Sequence, residues 1–176
     1  MFLENSEIKL RAVEPEDLEL LYKWENATEL WIHGNTLSPY SKLALREYIN
    51  ITQQYDIYHS KQLRMMIDLV DGNIPIGTID LYDFDIRNSR AGIGVLIDKP
   101  YRNKHYASQA LELMKRYAFD FLRIHQLYAY ISVSNHSSLK VFENGGYIPV
   151  GTLKDWVQEK DKFEDVLVVQ LINPKE

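Results

Sequence analysis

The chain has 176 residues, a net charge of −5, 45% hydrophobic and 26% charged residues, and no cysteine. That size and mix suit one domain over 1–176 with its own core, and exclude disulfides, thiolate metal sites and a cysteine nucleophile. The acidic balance argues against nucleic acid as main partner, and no apolar run approaches the roughly 20 residues that span a bilayer, so a soluble cytoplasmic protein is expected.

Ile8-Lys9-Leu10-Arg11 alternates apolar and charged residues and predicts a first strand. Behind Pro15 and an acidic turn, Leu18, Leu20, Leu21 and Trp24 recur at helical spacing and predict a helix ending near Asn26. Residues 28–40 are expected to form a loop carrying Glu29, Trp31, His33 and Tyr40. Ser41 then suits the N-cap of a second helix, with Leu43, Leu45, Tyr48 and Ile49 on its apolar face.

Asp71-Gly72 between the apolar runs 62–70 and 74–83 is a hairpin signal. A second turn at 86–90 leads into a third strand over 91–97, in which Gly92 and Gly94 mark a bulge or a close approach by backbone or ligand. Residues 106–123 give the clearest helical period, with Ala107, Ala110, Leu111, Met114, Ala118 and Phe121 on one stripe. A strand over 127–133 and a short helix from Asn135 to Gly145-Gly146 follow. Closing strands are expected at 147–150 and 163–172, around a turn-like 154–162. The order is strand, two helices, three strands, helix, strand, helix, two strands: a mixed α/β (α+β) layered protein.

The junction after the third strand concentrates chemistry. Arg102, Lys104 and His105 stand just before a helix start, where unpaired N–H groups and the helix dipole favour a pyrophosphate. Any strand–helix junction shares part of that character, with its Lys and Arg simply solvated.

Two motifs at these junctions resemble the GNAT N-acetyltransferase superfamily, in the branch holding ribosomal-protein N-terminal and spermidine acetyltransferases. The first is Arg102-Asn103-Lys104-His105-Tyr106-Ala107, in which His105 stands where the family has Gly. Gly permits φ > 0 there, and His tolerates that region better than most residues. The second is Asn135-His136-Ser137-Ser138-Leu139 with Gly146-Tyr147 after it. The resemblance implies a mostly antiparallel seven-stranded sheet with four helices, and acetyl-CoA as co-substrate with no metal. It implies cofactor contacts from Leu96, Ile97, Arg102, Asn103, Lys104, His105, Tyr106, Ala107, Asn135, Ser138 and Phe142. Asn135 would bond the pantetheine arm, a role compatible with capping its helix. Two departures stand out. Phe142 occupies the place of a Tyr that protonates the leaving thiolate in many relatives, and Gly92 lies about where many carry a Glu.

The implied reaction is direct attack of an amine on the thioester, so the ammonium must lose a proton. Asp80, Tyr82, Asp83, Glu29, His33, Tyr128 and Tyr130 are candidates for that task, with Tyr82, Asp83 and His33 put forward as catalytic. Glu29, Trp31 and Tyr40 are the expected substrate contacts, and Glu25, Asp83 and Asp85 are further partners for ammonium groups. The expected acceptor is a small amine of the polyamine type, slightly ahead of a protein N-terminus. A catalytically silent acyl-CoA-binding module and a homodimer remain open alternatives.

Overall fold

The computed structural model describes residues 2–31 and 36–174. Strands β1 (Ile8–Ala12), β2 (Leu63–Leu69), β3 (Ile74–Asp85), β4 (Arg90–Ile97), β5 (Gln126–Ser132), β6 (Ile148–Glu159) and β7 (Lys162–Ile172) form one sheet. Their spatial order is β1-β2-β3-β4-β5-β7-β6. Every neighbouring pair is antiparallel except β4 and β5, which run parallel. Those two pair only through Arg90–Gln126, Ala91–Leu127 and Gly92–Tyr128. β4 then continues to Ile97 and β5 to Ser132 without pairing, which opens the sheet between them.

Six α-helices appear among the described residues rather than four: α1 (Leu18–Glu25), α2 (Thr28–Trp31), α3 (Lys42–Gln54), α4 (Ile57–Ser60), α5 (Tyr106–Arg116) and α6 (His136–Asn144). The additional ones, α2 and α4, are single turns. α4 forms because the Asp56 carboxylate accepts the His59 N–H at 3.0 Å. One core joins α5 and α6 to the sheet through residues such as Ile79, Ile93, Leu111, Met114 and Phe142. A second, smaller core places Leu21 and Trp24 of α1 and Leu45 and Ile49 of α3 against Met66. At about 1.5–3 kcal/mol per fully buried aliphatic side chain, these stripes hold the helices in place far more than propensity does.

Three local expectations are corrected. Leu43 is exposed, because it lies two residues and so roughly 200° round the helix from buried Leu45. Phe121 is 60% exposed while Phe119 is buried. The wider π turn over Tyr117–Phe121 adds a residue after α5 and shifts the stripe. β6 reaches Glu159, so the turn is only Lys160-Asp161 rather than 154–162. Bulges between Pro149 and Gly151 and between Leu153 and Val157 interrupt β6, masking its period in the sequence. Asp165 holds the second bulge, accepting from the Asp155 N–H at 3.0 Å and from Lys154 Nζ at 2.6 Å.

Candidate active site

A cleft of about 830 Å³ runs along β4 from the start of α5 and α6 to α1 and α2. Gly94, Val95, Leu96 and Ile97 of β4 line it. A Cβ added at Gly94 would meet nothing nearer than the Tyr82 ring at 3.9 Å, so this stretch of the floor is bare backbone.

Local chemistry shapes the α5 end. Asp98 Oδ1 accepts the Lys99 N–H at 2.8 Å and starts a turn over Lys99–Tyr101. Arg102 Nε donates to the Ile97 carbonyl at 2.9 Å, so its side chain braces the end of β4. His105 has φ 62° and serves as the N-cap of α5, and Asn103 has φ 61°. The backbone at the family's Gly position is therefore left-handed, at a cost of roughly 1–2 kcal/mol for a non-Gly residue. His105, Tyr106, Ala107 and Ser108 line the cleft at the helix start, where first-turn N–H groups lack helical partners. Asn103 also lines it, whereas Lys104 lies over the Tyr101 ring, 5.6 Å from its centroid.

On the facing helix, Asn135 Oδ1 accepts the Ser138 N–H at 3.2 Å, and both residues line the cleft. Phe142 lies elsewhere. It is buried in the core, edge-on to Tyr147 at 4.9 Å, while Val141 and Asn144 of the same helix face the cleft.

The far end carries charge. Arg64 Nε donates to Asp80 Oδ1 at 2.6 Å, Nη2 to Asp80 Oδ2 at 3.3 Å, and Nη1 to Glu25. The guanidinium also lies over the Tyr48 ring. Burial, against the pull of Arg64, pushes the Tyr48 hydroxyl up to about 12. Trp31 lines the same end, its Nε1 donating to the Glu25 carbonyl at 2.8 Å. Arg64 was missed as a site residue in the sequence; its signal was a lone Arg inside the apolar run 63–67.

The other candidates lie apart from this cleft. Tyr82 stands opposite Gly92 outside its lining, and burial pushes its phenol well above the usual range, so it stays neutral and is no base near pH 7. Asp83 is exposed with φ 49°, in the irregularity between Tyr82 and Asp85. Glu29 lines a neighbouring pocket of about 340 Å³ with Lys23, Asp98 and Arg102. Tyr40 is exposed and tied to α1, its N–H donating to Asn26 Oδ1 at 2.8 Å. His33 lies outside the described residues.

The family model for the acetyltransferase (GNAT) domain matches residues 7–148. The chain belongs to that family. It is thus an acetyl-CoA-dependent N-acetyltransferase. The GNAT chain is similar to the spermidine N(1)-acetyltransferase of Vibrio cholerae, at 21% identity over 97% of this chain and 96% of that protein. It is also similar to a putative ribosomal N-acetyltransferase of Bacillus subtilis, at 27% identity over 96% of this chain and 92% of that protein. Among solved structures, the Vibrio cholerae spermidine N-acetyltransferase in complex with CoA and spermine superposes with a TM-score of 0.83, at 22% identity and 96% coverage of each chain. The residues present here fit a CoA thioester: free amides at the α5 start suit a pyrophosphate, and the bare Gly94 floor admits a close backbone approach. Among the described residues no group of three or more His, Asp or Glu is placed to hold a metal ion, and no helix is long and apolar enough to cross a membrane.

Proposed function

We propose that the chain transfers an acetyl group to the primary amine of a small cationic acceptor of the polyamine type. The observation that carries this reading is the continuity of one cleft from the anion-binding start of α5 to the carboxylates of Glu25 and Asp80. Two carboxylates against one guanidinium leave that end with a net negative charge, which suits an ammonium group. Trp31 adds an aromatic ring beside it.

Acetyl-CoA supplies an activated acyl group with a good leaving thiolate. In this reading the α5 start and Asn135 hold its polar arm. Backbone N–H groups of β4 polarise the thioester carbonyl, as in an oxyanion hole. Glu25 and Asp80 hold the acceptor beside it, so much of the rate comes from placement. An alkyl ammonium titrates near about 10, so its proton must leave before the C–N bond forms and the C–S bond breaks. Both carboxylates are occupied by Arg64, so the proton passes to water in the open cleft.

A peptide N-terminus is the second reading. Arg64 already engages both carboxylates, and residues 36–41 carry no acidic side chain. Thiol release from acetyl-CoA decides between them. Turnover on spermidine, spermine or putrescine supports the first reading, and turnover only on short peptides with free N-termini replaces it with the second. CoA binding without turnover on either set overturns both acceptor readings.

A further inference from the structure

Glycine at 92 lets two strands that are not neighbours bring their aromatic rings together. Gly92 of β4 stands opposite Tyr82 of β3 on one side and Tyr128 of β5 on the other. Directly opposed residues share a face of the sheet, and side chains two strands apart ordinarily stand roughly 9–10 Å from each other. Here the Tyr82 ring lies across β4 in the space a side chain at 92 would take, since a Cβ added there would lie 2.2 Å from Tyr82 Cε2. The Tyr82 and Tyr128 rings therefore meet edge-on with 6.2 Å between centroids. Tyr130, two residues further along β5, meets Tyr128 edge-on at 5.6 Å.

This row lies on the acceptor side of the sheet. Asp80 is two residues before Tyr82 and shares its face, with Arg64 opposite it on β2. The alternate residues Leu81, Ile93, Leu127 and Ala129 enter the core with α5 on the other face. The Tyr82 ring also borders the cleft, because a Cβ at Gly94 in the cleft floor would meet it at 3.9 Å. α1 and α3 cover this face at Met66, and beyond them Tyr130 is 49% exposed. A continuous surface thus leads from the carboxylates of the cleft over three tyrosine rings to solvent.

We propose that Tyr82, Tyr128 and Tyr130 are specificity-determining residues for the acceptor: with the reacting amine at the Glu25 and Asp80 end, the alkyl chain and second ammonium of a di- or polyamine lie along the three rings. The role rests on the polyamine reading of the cleft. Ring faces attract an alkyl ammonium through their quadrupole and give its methylenes apolar contact, while the phenol ends stay wet. A monoamine ends inside the cleft and gains nothing from the row. Gly92 also acquires a reason, since a side chain there would part Tyr82 from Tyr128.

The test varies Tyr130, the outermost ring, whose exposure makes it dispensable for folding. Tyr130→Ala is expected to raise the spermidine KM about two- to fivefold, the size of one exposed cation–ring contact, with the acetyl-CoA KM unchanged. n-Butylamine, read as a substrate or as a competitor of spermidine, is expected to bind this variant as it binds wild type. Tyr130→Phe keeps the ring face and is expected to keep the wild-type spermidine KM. An unchanged spermidine KM in Tyr130→Ala overturns the proposal, as does an equal loss for n-butylamine or a Tyr130→Phe variant as impaired as Tyr130→Ala. Wild-type protein that acetylates no di- or polyamine overturns the reading of the cleft itself. Wild-type turnover of spermidine alongside an unaffected Tyr130→Ala variant removes only the role given to the rings.

Discussion

Arg64 and Asp80 face each other directly across β2 and β3, and their side chains meet through two hydrogen bonds at 2.6 and 3.3 Å. Arg64→Met would leave Glu25 and Asp80 as unpaired carboxylates in a half-buried site. A destabilisation of about 2–3 kcal/mol is expected by denaturant unfolding. If Glu25 and Asp80 hold the acceptor, Asp80→Asn raises the amine KM and leaves the acetyl-CoA KM in place. Steady-state kinetics with each substrate varied in turn reads that split.

His105 at φ 62° gives a second prediction. His105→Gly removes the left-handed strain at the start of α5 and clears a side chain from the cleft. CoA is expected to bind several-fold tighter because the side chain no longer crowds the helix start, while the strain, already present in the free backbone, is relieved as about 1 kcal/mol of stability. Isothermal calorimetry reads this, and weaker binding would mean the imidazole itself contacts the cofactor.

Asn135 joins a cap and a cleft contact in one residue, and the two can be separated. Asn135→Ala loses the bond to the Ser138 N–H, with an expected loss of about 1 kcal/mol of stability and a raised acetyl-CoA KM. Asn135→Ser restores the cap and the melting temperature. If the amide side chain binds the cofactor, the KM stays high.

Acid stability offers a fourth. Burial works to raise the Asp98 carboxyl, but the bond from Lys23 Nζ at 2.7 Å and the Lys99 N–H outweigh it and hold the group below its usual value. A depressed carboxylate adds stability above its unfolded pKa, and that contribution fades as pH falls through the folded value. Lys23 is exposed, so Lys23→Met is expected to cost no more than about 1 kcal/mol at pH 7. The gap between variant and wild type should narrow in thermal melts as pH falls below the ordinary carboxylate range and close once Asp98 is protonated in the folded state.

Much of this was legible in the chain because local chemistry and tertiary role coincide. Ser41 accepts the Ala44 N–H as its position before an apolar period implies, and Gly72 at φ 76° turns the β2–β3 hairpin. The α5 start was visible because a cationic loop precedes a strongly periodic helix. What escaped depended on register. Gly92 was legible as a close approach, but the residue approaching it was not, because an irregularity between Tyr82 and Asp85 sets the β3–β4 pairing there. Phe142 followed the family pattern into a cofactor role, yet with Leu139 it sits on the apolar side of α6, one residue round from Val141 in the cleft. Arg64 looked like an oddity in a strand, since neither of its partners is near in sequence.

The broken pairing of β6 has a consequence for solubility. β6 ends the sheet, and a long regular strand there would present a ladder of free amides and carbonyls to any passing chain. Pro149 withholds one donor, and the bulge held by Asp165 twists the strand away partway along. With Trp156 and Phe163 exposed on the same hairpin, a straight β6 would be a template for amyloid-like stacking. Asp165, by pinning that bulge, keeps β6 from presenting an unbroken edge.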